Sequence, residues 1–158
     1  MKHPAHKTAA LQQKGGAAVE FAVVLPLLVL VLAVPFFLTY VYWHYSVAQK
    51  AARDAARYLS SAPRAEMLAI TGGETEAAKF AKTIADMEMS ELKPGPFPIY
   101  VEAQCNGLTC LGNVIPTTVR VAVRMQVVDD VFPVITDFLG AADGIWLTAD
   151  VSMPYAGH

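Results

Sequence analysis

A chain of 158 residues with twelve basic and fourteen acidic side chains has a formal charge of −2, and 54% of it is hydrophobic. That length sets one modest domain as the starting expectation. Lys2, Lys7 and Lys14 precede every acid in the chain, so the remainder of the chain is net acidic. Such a balance argues against a nucleic-acid partner, which requires clustered cations to neutralise phosphates.

Residues 1–15 are basic, small and polar, and read as a short cytosolic leader. Next comes Lys14-Gly15-Gly16-Ala17-Ala18-Val19-Glu20-Phe21, set directly against an apolar run that ends at Trp43. Residues 21–43 carry no charge; Thr39, Tyr40, Tyr42 and the Trp43 indole are their only polar side-chain groups. That is 23 positions, against roughly 20 needed to cross a hydrocarbon core. Pro26 and Pro35 each remove an intrahelical hydrogen bond, which membrane helices tolerate. Tyr40, Tyr42, Trp43 and Tyr45 form an aromatic belt of the kind found at headgroup depth. Lysines before the run and Lys50, Arg53 and Arg57 after it nearly balance, so charge alone does not orient the segment.

The helical pattern continues past Tyr45. Ala48, Ala51, Ala52, Ala55 and Leu59 form a small-residue stripe, with Lys50, Arg53 and Arg57 on another face. A helix over residues 16–59 would be roughly 66 Å long at 1.5 Å per residue. Ser60-Ser61-Ala62-Pro63 ends it. Thr71-Gly72-Gly73-Glu74 is a break that fits a capping box. It precedes a helix over residues 74–91 whose apolar face is Ala77, Phe80, Ala81, Ile84 and Met87. Three period-two patterns come next: Ile99 to Cys105, Thr118 to Val127 and Trp146 to Met153. Asn106-Gly107 is a turn signal. Val131, Phe132, Ile135, Phe138 and Leu139 suggest a turn or two of helix, capped by Asp129 or Asp130 and ended by Gly140. The expected fold class is α+β: a long N-terminal transmembrane or assembly helix, then a small antiparallel sheet of about three strands with one or two covering helices. The expected divisions are a leader (1–15), a helix (16–59, spanning at 21–43) and an extracytoplasmic domain (60–158).

Little here can do bond chemistry. His3, His6, His44 and His158 are scattered beyond any metal or catalytic pairing, and Gly72-Gly73 is a lone pair without a phosphate-loop pattern. No catalytic residue, cofactor or metal is expected. Cys105 and Cys110 read as a local disulfide in an exported domain and as free thiols in a reducing cytosol; zinc would need two further ligands that are not nearby. Glu20 is the residue that needs a reason. A carboxylate in a membrane helix costs about 2.5–3.5 kcal/mol at the bilayer centre and less near the interface. Either it sits at the interface near the helix N-terminal dipole, or it pairs with a cation in an assembly.

A basic leader, Gly15, four residues, Glu20-Phe21 and an apolar helix resemble the type IV prepilins. Gly16-Ala17-Ala18-Val19-Glu20-Phe21-Ala22 with Leu25-Pro26-Leu27-Leu28, and Ala51-Ala52-Arg53-Asp54-Ala55-Ala56-Arg57-Tyr58, are similar to the TadE-like minor pilins, or pseudopilins, of tight-adherence (Flp-type) pili. The resemblance implies cleavage by a prepilin peptidase between Gly15 and Gly16, with Glu20 and Phe21 as assembly residues of the mature chain. A cut after Gly16 would shift that register by one. It also implies a single-pass protein of the bacterial inner membrane with its C-terminal domain periplasmic or extracellular. The implied partners are other pilin or pseudopilin subunits and the inner-membrane pilus assembly machinery, and the implied role is adhesion or secretion. Two alternatives stand beside it. One is an uncleaved single-pass protein whose outer domain binds a ligand or partner. The other is a secreted domain cut after Ser46-Val47-Ala48, although the apolar run exceeds a usual signal-peptide core.

Overall fold

The computed structural model describes residues 16–92, 95–128, 137, 140 and 144–157. The chain forms two compact units, Met1–Phe36 and Phe37–His158. Helix α1, Gly16–Ser61, contributes to both and continues through Pro26 and Pro35. In the first unit it presents large aliphatic side chains outward, from Val19 through Leu32. It is long and apolar enough to cross a membrane.

The second unit is an α+β fold. Beyond α1 it contains α2 (Arg64–Leu68), β1 (Ile70–Thr71), β2 (Glu74–Thr75), α3 (Glu76–Met89), β3 (Tyr100–Cys105), β4 (Leu108–Thr109), β5 (Thr118–Val127) and β6 (Ile145–Pro154). Strands β1 and β2 form a small hairpin, and the main sheet has the order β4-β3-β5-β6, antiparallel throughout. The three expected alternating segments are β3, β5 and β6. The three further strands are two residues each, too short to leave a period-two signal in the sequence.

One face of the sheet is buried. Val119, Val121, Val123, Met125 and Val127 of β5, Ala103 of β3 and Ala149 of β6 form a single core with two helices. From α1 come Ala48, Ala51, Ala52, Ala55, Ala56 and Leu59, all at 0% exposure. Their spacing of three and four places them on one helical face, and Lys50, Arg53 and Arg57 are exposed. The second helical face is rotated from the one expected. Ala77, Ala78, Ala81, Ala85 and Met89 of α3 are buried, while Phe80 and Met87 are exposed. Alanines let α3 approach closely, which the bulk of Phe80 would prevent; Phe80 instead packs on the Tyr58 ring, centroids 4.8 Å apart.

The expected cap of α3 also moves. Thr75, not Thr71, is the N-cap, and its hydroxyl accepts from the Ala78 amide. Thr71-Gly72-Gly73-Glu74 makes the β1–β2 turn, with both glycines at positive φ. The suggested helical turns at 131–139 and their Asp129 or Asp130 cap lie outside the described residues.

Helix α1 and strand β6 run in the same direction. Leu147, near the start of β6, lines a groove with Leu38, Val41 and Tyr45 of α1. Just past the end of β6, the Tyr155 hydroxyl donates to the Ala62 carbonyl (2.8 Å) and the Ala156 amide donates to the Ser60 carbonyl (2.8 Å). The last carbonyls of a helix have no partner within it; residues 155–156 supply partners here. Gly157 lies so close that any Cβ would run into the Ala62 carbonyl. Gly157→Ala is therefore expected to lower stability by about 1–3 kcal/mol, the range for forced overpacking, read as a shift in the thermal unfolding midpoint.

Polar contacts hold the helices at their edges. Lys82 pairs with Glu74 at 2.6 Å, Lys50 with Glu88 at 3.1 Å, and the Tyr58 hydroxyl donates to Glu66 at 2.6 Å. Burial and, next, the Glu66 hydrogen bond push the Tyr58 phenol up to about 12. An unfolded tyrosine titrates near 10. The folded value is the higher one, so the contribution to stability is complete below about pH 10 and is lost as pH rises toward 12. Ultraviolet titration of the folded chain should show a phenol ionising at about pH 12. Tyr58→Phe should remove that late step and flatten the alkaline loss of stability.

Candidate functional site: an apolar helix and a stapled sheet end

Two regions contain the residues singled out in the sequence. The first is the start of α1. Gly16 is its first described residue, and Gly15 lies outside the described residues. Glu20 is the fifth helical residue and is exposed; no acid lies in the first turn. The dipole field of a helix end fades within that turn, so the helix terminus alone gives Glu20 a weak reason to be there. Phe21 beside it is 65% exposed, and most of the aliphatic side chains after it are exposed as well. The structure thus brings Glu20 and Phe21 to the same exposed end of one apolar helix.

Farther along, within the second unit, Tyr42 is 71% exposed and Trp43 52% exposed. His44 turns the other way. It is buried, its ring packs edge-on against Tyr40 and Trp43, and its Nδ1 lies 2.9 Å from the Tyr40 carbonyl oxygen. Its Nε2 has no partner among the described residues. Its burial is not legible from the sequence, since its neighbours on either side are exposed or half-exposed. No cluster of metal-ligating side chains occurs among the described residues.

The second region is one end of the sheet. Cys105 and Cys110 are bonded to each other. They flank a tight β3–β4 hairpin whose loop is Asn106-Gly107, both at positive φ, the two-residue turn that Asn-Gly favours. The Asn106 side-chain oxygen accepts from the Thr117 amide and hydroxyl (2.9 Å each) and from the Thr118 amide (3.1 Å). Cys110 is buried, and its carbonyl accepts from the Thr75 amide. The loop is therefore fastened to β5 on one side and to the β1–β2 hairpin on the other. This is a fastening, with no group placed for catalysis. Closing so short a loop contributes about 2 kcal/mol on the chain-entropy estimate. The paired Cys105→Ser, Cys110→Ser chain, or the reduced protein, should lose about that much in a denaturant titration and retain the fold.

Helix and domain together define a class: an α+β domain continuous with an apolar helix long enough to span a membrane. Residues 15–57 match the model of the TadE-like protein family. That match covers the glycine-glutamate start, the apolar run and most of the alanine stripe, and bears out the resemblance to TadE-like pilins of the tight-adherence system. No curated protein and no solved structure matches the chain.

Proposed function

We propose that this chain is a non-enzymatic minor pilin or pseudopilin of a tight-adherence (Flp-type) pilus. It is anchored by α1 in the bacterial inner membrane, with the second unit on the periplasmic or extracellular side. The observation that carries this reading is the match over residues 15–57, which falls on a helix whose aliphatic side chains are exposed. A helix apolar on all sides needs either lipid or other helices around it. A pilin is offered both in turn, first the bilayer and then the packed helices of an assembly. A prepilin peptidase, the inner-membrane assembly machinery and other pilin-like subunits are the partners of this reading, and adhesion or secretion is its role. The disulfide supports a domain outside the cytosol, because such bonds persist in oxidising compartments.

Glu20 has a specific part in this scheme. Cleavage between Gly15 and Gly16 creates an ammonium four residues before it, one helical turn away. A neighbouring helix displaced by about a turn can present its own new amine to this carboxylate. In a low-dielectric surrounding, an opposed pair is strongly favoured over an isolated charge.

Mass spectrometry of the membrane-bound form should give a chain beginning at Gly16; a start at Ala17 would move the register by one, and an intact leader would support an uncleaved anchor instead. Glu20→Ala should leave the cut in place while reducing recovery of the subunit with its pilin partners, read by co-purification from detergent extracts. Loss of the cut itself would assign Glu20 to processing, and full recovery would remove the charge-pair role.

A further inference from the structure

The end of the apolar run is part of the folded second unit, which begins at Phe37. Tyr40, Tyr42, Trp43 and Tyr45, the aromatic residues of the kind found at headgroup depth, belong to that unit. The sheet end at that level is set by the packing. Leu147 shares a groove with Leu38, Thr39, Val41, Tyr42 and Tyr45, and that groove is almost wholly apolar. Residues 155–156 reach the other end of α1 at Ser60 and Ala62. The start of β6 is thus the sheet end beside residues 38–45, and the disulfide hairpin lies at the other end of the sheet.

The near end has an unusual surface. On the face of the sheet turned away from the central core, Trp146 pairs with Gln126, which is itself buried, and the next row is Tyr100, Arg124 and Thr148. Trp146 is 59% exposed and Tyr100 56%, and Phe97 just before β3 is exposed as well. Tyr100, Val101, Glu102, Arg124 and Trp146 line one groove, with Glu102 hydrogen-bonded by the Gln104 side-chain amide. Two rows on, Arg120 is bound to Asp150 at 2.8 Å. Arg124 forms no ion pair among the described residues. Exposed tryptophan and tyrosine beside an arginine with no ion pair among the described residues is a composition that settles at the membrane–water interface: rings at headgroup depth and a cation for phosphate.

We infer that this sheet end is a second membrane contact, with Trp146, Tyr100 and Arg124 seated in the headgroup layer of the bilayer that α1 enters. Arg124 faces the phosphate of an anionic phospholipid, and the groove at Leu147 receives the upper part of an acyl chain. This rests on the membrane-anchor reading of α1. It gives the domain a fixed seat on the membrane surface before assembly, held by side chains remote in sequence from the anchor.

The chain has two tryptophans, which makes the test direct. Full-length Trp43→Phe, with Trp146 as its only tryptophan, is reconstituted into vesicles of phosphatidylcholine with phosphatidylglycerol. Some vesicles carry lipids brominated on the acyl chain close to the headgroup. Trp146 emission should be roughly halved by the brominated lipids, and acrylamide should quench it less than it quenches the unfolded chain. Arg124→Gln in the same background should lose most of the difference between anionic and purely zwitterionic vesicles; no change would overturn the assignment of phosphate to Arg124. Trp146→Phe, with Trp43 alone, reports on the anchor itself. If Trp43 is quenched by the brominated lipids and Trp146 is not, the second contact is wrong while the anchor stands. If neither is quenched, the anchor reading fails and the inference with it. Trp146 shielded from acrylamide yet untouched by brominated lipid would mean that protein covers this face, which also overturns the proposal.

Discussion

The second unit depends on one shared core, to which α1 brings an alanine face and β5 a valine face. Every fully buried α1 residue of that core from Ala48 to Ala56 is alanine, and its β5 residues are β-branched or methionine. Small side chains on the helix bring its backbone near the sheet, so the branched side chains of β5 meet neighbours on all sides. Interiors are packed as densely as organic crystals, and the gain comes from many weak contacts over a shared surface. Alanine also loses no rotamer freedom on burial. The same residue type on α3, at Ala77, Ala78, Ala81 and Ala85, repeats the solution for the second covering helix.

That constraint explains why α1 changes character along its length. Its early side chains are valine, leucine and phenylalanine and are exposed; its later ones are alanine and are buried. A helix can serve two environments only if each stretch carries the side chains that its surroundings can accommodate. Leucine at positions 48–56 would hold the sheet away, and alanine at 21–32 would bring too little apolar surface to a hydrocarbon core. The polar contacts obey the same division. Lys50–Glu88 and Tyr58–Glu66 lie at the margins of the packed face, where surface ion pairs add little to stability but help to fix which way each helix is turned.

Much of this is legible in the residues alone. The long N-terminal helix, the alanine stripe, β5 with its alternating valines and the Asn106-Gly107 turn all carry strong local signals, because their chemistry depends on nearest neighbours in sequence. The misses are tertiary. The exposed face of α3 includes Phe80 and Met87, which any hydrophobic periodicity places inside; only the space left by Tyr58 and the sheet shows why alanines take the buried face. Thr71 has the look of a cap because Glu74 stands three residues on, yet the glycines between them close a hairpin and Thr75 caps the helix. His44 sits in an aromatic stretch that suggests exposure to the interface, and its burial depends on the helix face it occupies. Of the candidate site, Glu20 and the cysteines are identifiable by type and position. The surface of Tyr100, Arg124 and Trp146 is not, since three strands contribute one residue each and only the register brings them together.

The two ends of the second unit are built on opposite principles. At the far end, a disulfide, an asparagine side chain and the strap at residues 155–157 satisfy backbone groups and restrict the chain. The strap gives the carbonyls at the end of α1 partners that the helix itself lacks, while the Asn106 bonds are exposed and fix where the loop lies. At the near end, large aromatic and aliphatic groups remain open. Leaving Tyr42, Trp43 and Trp146 in water would forgo the burial energy of some of the largest side chains in the chain, about 25 cal/mol for each Å² of apolar surface. A domain that concentrates its covalent and hydrogen-bonding constraints at one end while leaving aromatic rings uncovered at the other has its stability secured away from residues 38–45 and the start of β6. The end at those residues is then free to answer to its surroundings.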